Sequence, residues 1–577
     1  MYEIEISDKN YTKWNIISSL DSDSDHDFDF QNKNPFSCKL FHKDQFQHTN
    51  NNDLIITNSP TRNMKFIAGI LILENNRTFG RTPNKKKLYY SCIPHQKQLP
   101  IFLIPYEIQL GFQKNIKNKF VLFKFDYWND NDKHPYGILT ETIGDVDQLP
   151  HYYEYQLYAK NVHPCSSSIN SIISKNNKKI KTLLQNKKLD LYFQEILNNP
   201  QEYGNIQKKE AANINIFSID PIGCVDRDDA LSICKTDIPT IYTVQVYIAN
   251  IWVWIKAFDL WELFEKTNVS TIYLPDFNRH MLPTELSENI CSLNIGHPCF
   301  AFCMEFRVDI FNKIIEPIYN PDILSQKCIV VSKNFDYESK SLLKYSPYLL
   351  LLQITRELSS DIKDSHELVA FWMMKMNTCI AKEMYLKKIG IFRITNSNPN
   401  HNNPPINTIG KKDEFASFLY LWEHAISGEY VEYTNENSSY SHSLLNVEHY
   451  MHFTSPIRRK VDIYNQLVWI TSITSSQVNL QNIHHIEKIN KDTKIIRKIQ
   501  NECSLLHLLQ NATNENIITD GIIIQIINET KSLIYLPTYK CILSSIIICD
   551  IYTKIKCKIY IFEREHDYKK KIKISII

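Results

Sequence analysis

The stretch SIDPIGCVDRDDALS, Ser218 to Ser232, places Asp220, Asp226, Asp228 and Asp229 within ten positions, between the apolar segments INIF and ALSI. The flanks read as buried strands, so whatever fold forms here must hold four carboxylates where water is scarce. Like charges in such a place repel and resist ionisation unless a cation joins them, and clustered hard oxygen ligands suit Mg²⁺ or Mn²⁺. Asp228 and Asp229 are adjacent and would point apart on a regular strand. Aiming them inward together needs an irregular bend, which Pro221 and Gly223 can make. An EF-hand calcium loop does not fit, because Asp-Pro-Ile-Gly breaks the ligand alternation and no Glu closes it. Two readings stay open on these residues alone: a solvated acidic turn, or paired metals about 4 Å apart for phosphoryl transfer.

A second constellation, EHYMHFTSPIRRKVDIYNQL, runs from Glu448 to Leu467. Thr454-Ser455-Pro456 is a turn and N-cap signal with Pro at the first helical position. A helix beginning there would carry Arg458 and Arg459 in its first turn, against the macrodipole. Two arginines at that end make sense opposite an anion, as a phosphate clamp. Acid cluster and clamp together point to metal-dependent phosphodiester chemistry.

The remainder sets limits. The 577 residues allow several domains, and a net charge of +2 excludes a chain that is basic in bulk, though not a local basic channel. Fourteen cysteines lie scattered without C-x-x-C pairs, which implies buried thiols in a reducing compartment and no structural zinc. The N-terminus has no signal-peptide layout, and no apolar run reaches membrane-spanning length. A cytoplasmic or nuclear protein with no membrane partner is expected. DSDSDHDFDF and QHTNNND suggest a mostly disordered polar tail over residues 1–60. KFIAGILIL, KLYYSCIP, IFLIPYEI and KFVLFKFDYW are short strand-like runs of a small barrel. A second set begins at PYGILTETIG, followed by a basic helical connector. The core then opens with strands around the aspartates and turns helical, and strands return after Asn514.

These residues closely resemble the ribonuclease II (RNB) family of exoribonucleases, in its eukaryotic exosome-nuclease-like branch. Three blocks carry the likeness in matching order: IDPIGCVDRDDALS, IYLPDFNRHMLPTELSENICSL (Ile272 to Leu293) and HFTSPIRRKVD (His452 to Asp462). The resemblance implies an α+β multidomain chain. A cold-shock-like OB barrel would span 61–130, a second OB-like barrel and connector 131–204, the catalytic domain 205–512 and an OB-type RNA-binding barrel 513–577. The first sixty residues are too short and polar for the exosome enzyme's endonuclease domain. The resemblance further implies 3′-to-5′ hydrolysis of single-stranded RNA to nucleoside monophosphates with Mg²⁺ (or Mn²⁺), the barrels funnelling RNA to a deep site; it names no protein partner. Carried over by position, Asp220, Asp226, Asp228 and Asp229 are the metal-binding and catalytic acids. Arg458, with Arg459 beside it, holds phosphate. Tyr273 stacks on a base near the 3′ end, where the plainer reading is a strand tyrosine in the core.

The chain departs from the family pattern at Tyr247 and Asn250, where His and Asp are usual, at Lys460 in place of Tyr, at YNQL (Tyr464 to Leu467), and at Gln500 in place of Glu. These changes spare the aspartates and Arg458 but bear on substrate grip. They are the best support for a rival reading, a catalytically weak or silent RNA-binding protein of the same fold.

Overall fold

A computed structural model describes residues 2–18, 34–48, 54–74, 76–108, 116–162, 166–208, 214–395, 428–434, 439–474, 486–511, 517–546, 549–567 and 571–577. The protein is a mixed α+β chain of two compact units. One comprises Met1–Ser166, Leu274–Asp276 and Arg497–Ile577; the other comprises Ser167–Tyr273 and Phe277–Ile496. No helix among the described residues is long and apolar enough to cross a membrane.

In the first unit, β1 (Tyr2–Ile6), β2 (Trp14–Ser18), β3 (Gln45–His48) and β4 (Leu54–Asn58) pair in the order β2-β1-β3-β4. Alternation in YEIEI turns Ile4 and Ile6 inward, where Tyr11, Leu40 and Phe46 join them. The Tyr11 hydroxyl donates to Leu40 O at 2.8 Å. This sheet corrects the expectation of a disordered tail over 1–60. The acidic run at 21–30 lies outside the described residues, and each apolar run around it is too short to announce a sheet alone.

The next sheet holds β5 (Ile67–Leu71), β6 (Thr78–Arg81), β7 (Leu88–Pro94), β8 (Phe102–Tyr106), β9 (Lys119–Phe125) and β10 (Gly137–Asp145). Leu103 N donates to Pro135 O at 2.8 Å, which brings β8 against the start of β10 and curls the sheet closed. Closure is tight: a Cβ on Gly137 would meet Ile104 Cδ1 at 2.6 Å. A second barrel over 131–204 is therefore not formed. Residues 137–145 pair back on β9 as the last strand of the first barrel. The chain then becomes helical as α1 (Leu149–Ala159), α2 (Ser166–Asn186), α3 (Leu189–Leu197) and α4 (Pro200–Tyr203). Local hairpin pairing wins over a new sheet.

The second unit is built on β11 (Ile206–Lys208), β12 (Phe217–Asp220), β13 (Asp229–Lys235) and β14 (Ile241–Ala249). They are joined by β17 (Pro298–Asp309), β18 (Ile314–Pro317), β19 (Ser325–Val330) and β20 (Lys333–Asp336), while β15 (Ile272–Tyr273) and β16 (Asn278–Arg279) form a separate ribbon between them in sequence. The sheet order is β11-β19-β17-β14-β13-β12-β20, with β18 on β17. Helices follow the central strands: α5 (Ile251–Ala257), α6 (Trp261–Lys266), α7 (Ser346–Leu358) and α8 (Ser365–Leu386). Helix α8 opens on a cap, Glu367 N donating to Asp364 Oδ1 at 3.0 Å. Its Trp372, Met376 and Met384 are fully buried in the core. The strands β21 (Ile391–Thr395) and β22 (Gly428–Glu432) pair with one another before α9 (Lys460–Ile473) and α10 (Ile486–Asn511).

The C-terminal part of the first unit is a five-stranded sheet of β23 (Ile517–Asn528), β24 (Lys531–Leu536), β25 (Cys541–Ser545), β26 (Lys554–Ile561) and β27 (Ile572–Ile576), ordered β25-β24-β23-β26-β27. Ser545 Oγ donates to Ile574 O at 2.9 Å, drawing its two edges together.

Candidate active site

The acid loop is irregular where four carboxylates require it to be. Strand β12 ends at Asp220, and Cys224 N donates to Pro221 O at 3.0 Å across a tight turn. Gly223 supplies the left-handed residue of that turn at φ +76°. Asp229 opens β13 opposite Ile248, while Asp228 lies just before the strand and its carbonyl accepts Ala249 N at 2.9 Å. The back of the loop is clamped: Arg227 N donates to Ser292 Oγ and Leu293 N to Arg227 O, each at 3.0 Å.

Asp220, Asp226 and Asp228 are buried. Ser218 Oγ donates to Asp220 Oδ2 at 2.8 Å and is itself held by Asn334 Nδ2. The Cys224 thiol lies between two of the acids, donating to Asp226 Oδ1 at 3.5 Å and reaching Asp220 Oδ1 at 3.9 Å. Tyr273 donates its hydroxyl to Asp226 Oδ2 at 3.3 Å, so its ring is anchored on the acid loop. Asp228 meets the arginine segment directly. Its Oδ1 accepts Ile457 N at 2.7 Å, and its Oδ2, which takes no hydrogen bond, lies 3.0 Å from Arg458 Nε.

The two arginines separate. No helix begins at Pro456; Ser455 to Arg459 is a turn, with Arg459 N donating to Ser455 O at 3.0 Å, and α9 starts at Lys460. Arg459 is extended because Thr271 N donates to Arg458 O and Lys460 N to Val269 O, both at 3.0 Å, a strand-like pairing that overrides the N-terminal proline signal. Arg458 then faces the acids, while Arg459 Nη2 pairs with Asp462 Oδ1 at 2.8 Å. Asp462 also accepts Ser455 N at 2.7 Å. From behind, Asn377 on α8 accepts Phe453 N at 3.0 Å and donates to Thr454 Oγ1 at 3.2 Å. Asn377 carries no sequence signal of its own; only the packing of α8 reveals it.

Burial raises the pKa of Asp220, with Asp226 adding repulsion and Ser218, Arg227 and Arg458 opposing it. Burial pushes Asp228 up to about 7 against the pull of Arg458. Asp229 is held well above the usual carboxylate range by burial, then by Asp220 and Asp228. Burial opposes the charge on Arg458, but Asp228, Tyr273, Asp229 and Asp226 more than restore it and leave its pKa raised. Tyr337, another residue the sequence does not mark, belongs here too. Parallel pairing of β12 with β20 sets its N–H on Asp220 O at 3.0 Å, and its raised phenol feels burial, Asp229 and Asp220. Its ring stacks on His366 at 3.7 Å.

Among the described residues, no three His, Cys, Asp or Glu side chains converge closely enough to hold a metal ion as they stand. The donor set nevertheless fits a hard divalent cation. It is rich in buried oxygens that repel one another, and Asp228 Oδ2 lacks any hydrogen bond.

The departures Tyr247, Asn250 and Gln466 gather at the end of β14, beside the backbone that pairs with Asp228 and Asp229. Tyr247 is buried and donates to Gln245 Oε1 at 2.6 Å. Asn250 Nδ2 donates to Gln326 Oε1 at 2.8 Å, and Gln466 bridges Ile251 N and Ala249 O at the start of α5. Lys460 is buried with its Nζ on Glu265 O at 2.9 Å.

The family model described as RNB domain matches residues 208–341 and 333–475, across the acid loop, Tyr273 and the arginine turn. The chain carries an RNB domain. Ahead of the RNB domain, the model of the Dis3-like cold-shock domain 2 matches residues 89–154. A probable exosome complex exonuclease RRP44 of Caenorhabditis elegans is 25% identical over 203 residues, 35% of this chain and 19% of that protein. Ribonuclease R of Chlamydia trachomatis is 22% identical over 335 residues, 48% of each chain. The chain thus spans less than half the length of these curated relatives. In fold it is similar to Mycoplasma genitalium RNase R in complex with ribose-methylated single-stranded RNA, with a TM-score of 0.66 at 14% identity, over 94% of this chain and 95% of that one. It is also similar to yeast Ssd1, a pseudonuclease, with a TM-score of 0.57 at 15% identity, over 88% and 68%.

Proposed function

We propose that the chain is a metal-dependent exoribonuclease that shortens single-stranded RNA from its 3′ end and releases nucleoside 5′-monophosphates. The observation that carries this reading is the meeting of the acid loop and the arginine turn on Asp228, with Ile457 N on one oxygen and Arg458 Nε on the other. A guanidinium that can hold phosphate thereby stands beside oxygen ligands for a divalent cation. Asp220, Asp226, Asp228 and Asp229 would hold Mg²⁺ (or Mn²⁺), which when bound neutralises phosphate charge and activates water. Arg458, its side chain 45% exposed, can turn to a phosphate without unfolding the loop. Tyr273 offers a ring for a base near the 3′ end, and stacking tolerates any base. Arg459 serves the site through Asp462, by keeping the turn in place. The single-stranded RNA in the Mycoplasma RNase R complex supports the substrate class.

A silent RNA-binding protein is the second reading, favoured by the likeness to a pseudonuclease. The four retained carboxylates oppose it. Purified protein incubated with 3′-tailed, 5′-tailed and circular labelled RNA, with Mg²⁺ or with chelator, separates the two. Only the 3′-tailed RNA should shorten, only with metal, and stall several nucleotides before the duplex. Cutting of the circle or shortening from the 5′ end would overturn the exonuclease reading, and binding without any shortening would establish the silent one.

A further inference from the structure

One charged residue inside the acid loop has no part in this chemistry. Arg227 stands between Asp226 and Asp228 in the chain, yet its side chain turns back to Asp220, with Nε 3.5 Å from Asp220 Oδ2 and without a hydrogen bond of its own. The guanidinium is tethered. Nη1 donates to Asn294 Oδ1 at 2.8 Å, and Asn294 Nδ2 is tied in turn to Glu288 O at 2.8 Å. The arginine backbone is fixed at both its N–H and its carbonyl. The side chains of Arg227 and Asp220 are only 20% and 10% exposed, so solvent screens the pair weakly. Asp220 is thereby divided. Oδ2 faces Ser218 and Arg227, and Oδ1 faces Cys224, whose thiol also reaches Asp226 Oδ1.

We infer that Arg227 is a built-in counter-charge that sets how tightly the acid cluster holds its divalent cation. It orients Asp220 so that one oxygen is left for the ion, and its fixed positive charge weakens the cluster's grip. A guanidinium cannot shed its proton in a protein, so the repulsion is permanent. The ion then exchanges readily, and occupancy follows the free concentration of the cation. This inference rests on the metal centre proposed above and adds a residue that tunes it.

Titration of chelator-treated full-length protein with Mn²⁺, followed through the electron paramagnetic resonance signal of the free ion, tests it without any measure of activity. Arg227→Gln should bind Mn²⁺ at least about fivefold to tenfold tighter than the unaltered chain, the floor that one charge several ångströms from a divalent ion sets even at the dielectric constant of water. Arg227→Lys, which keeps the charge, should stay near the unaltered chain. Asn294→Ala leaves Arg227 in place but releases its tether and should give a smaller tightening; it carries the test if Arg227→Gln does not fold. Equal or weaker Mn²⁺ binding in folded Arg227→Gln and Asn294→Ala overturns the role of Arg227 alone. No Mn²⁺ binding by any of the four proteins overturns the metal centre as well.

Discussion

Arg458 and Arg459 are neighbours with different partners, and the difference is measurable. Arg458→Ala should lower turnover on the order of 10²–10³-fold, as expected when a charge-stabilising donor is lost. Arg458→Lys should recover little, because a point charge cannot replace a planar fork. Arg459→Ala leaves the fully buried Asp462 without its cation and should cost about 3–5 kcal/mol, seen as a fall of several degrees in thermal unfolding. Equal, small effects from both would refute the division. Asp228→Asn should abolish RNA hydrolysis and leave single-strand binding largely intact, because the carboxylate offers nothing attractive to a phosphate. Near-normal degradation by this variant, read on labelled RNA, would sink the site.

At the level of elements, two of the residues that break the family pattern, Asn250 and Gln466, form a neutral junction at the start of α5. Asn250 Nδ2 is the donor to Gln326 Oε1, and Gln326 cannot turn its amide round without giving up Nε2 to Tyr203 O at 2.9 Å. Asn250→Asp would set carboxylate against carbonyl oxygen in a fully buried place. The expected loss is about 3 kcal/mol in denaturant unfolding, with RNA affinity of the folded protein unchanged. An Asn250→Asp variant as stable as its parent would mean that the junction carries a cation not identified among its amides. The substitutions thus act on packing between helix and sheet, next to Ala249, whose N–H holds the Asp228 carbonyl.

Across the whole molecule, Lys571 ties the chain's last strand to its N-terminal part. It is 1% exposed, its Nζ donates to Glu563 O at 2.7 Å and to Val146 O at 3.4 Å, and the Tyr152 ring lies 5.4 Å away. Burial lowers its pKa to about 8, with Asp147, Glu563 and Glu565 opposing. The unfolded chain keeps this proton to higher pH than the folded one, so stability should rise as pH rises from about 8 to the ordinary lysine range. Lys571→Met should lack that rise. The gap between the two proteins should change by about 3 kcal/mol in favour of the unaltered chain, followed by chemical unfolding at stepped pH. Parallel curves would place the lysine in contact with water.

The residue types of the site, their spacing and the bend at Pro221 and Gly223 were legible in the chain itself. Charge crowding between apolar runs and turn chemistry are local signals, readable within a dozen residues. The resemblance carried by the three blocks added the RNB domain. What the tertiary structure decided are contacts between distant segments. Ile457 finds Asp228 across 229 positions, and neither segment announces the other. Tyr337 reaches the site only because β20 pairs with β12, and Arg459 turns away only because residues 269–271 pair beside it. Four short strands within residues 2–58 make a sheet that none predicts alone, and β10 closes the barrel it follows. Such pairings depend on which surfaces meet after collapse, and a strand's pattern specifies the face it buries but not its partner.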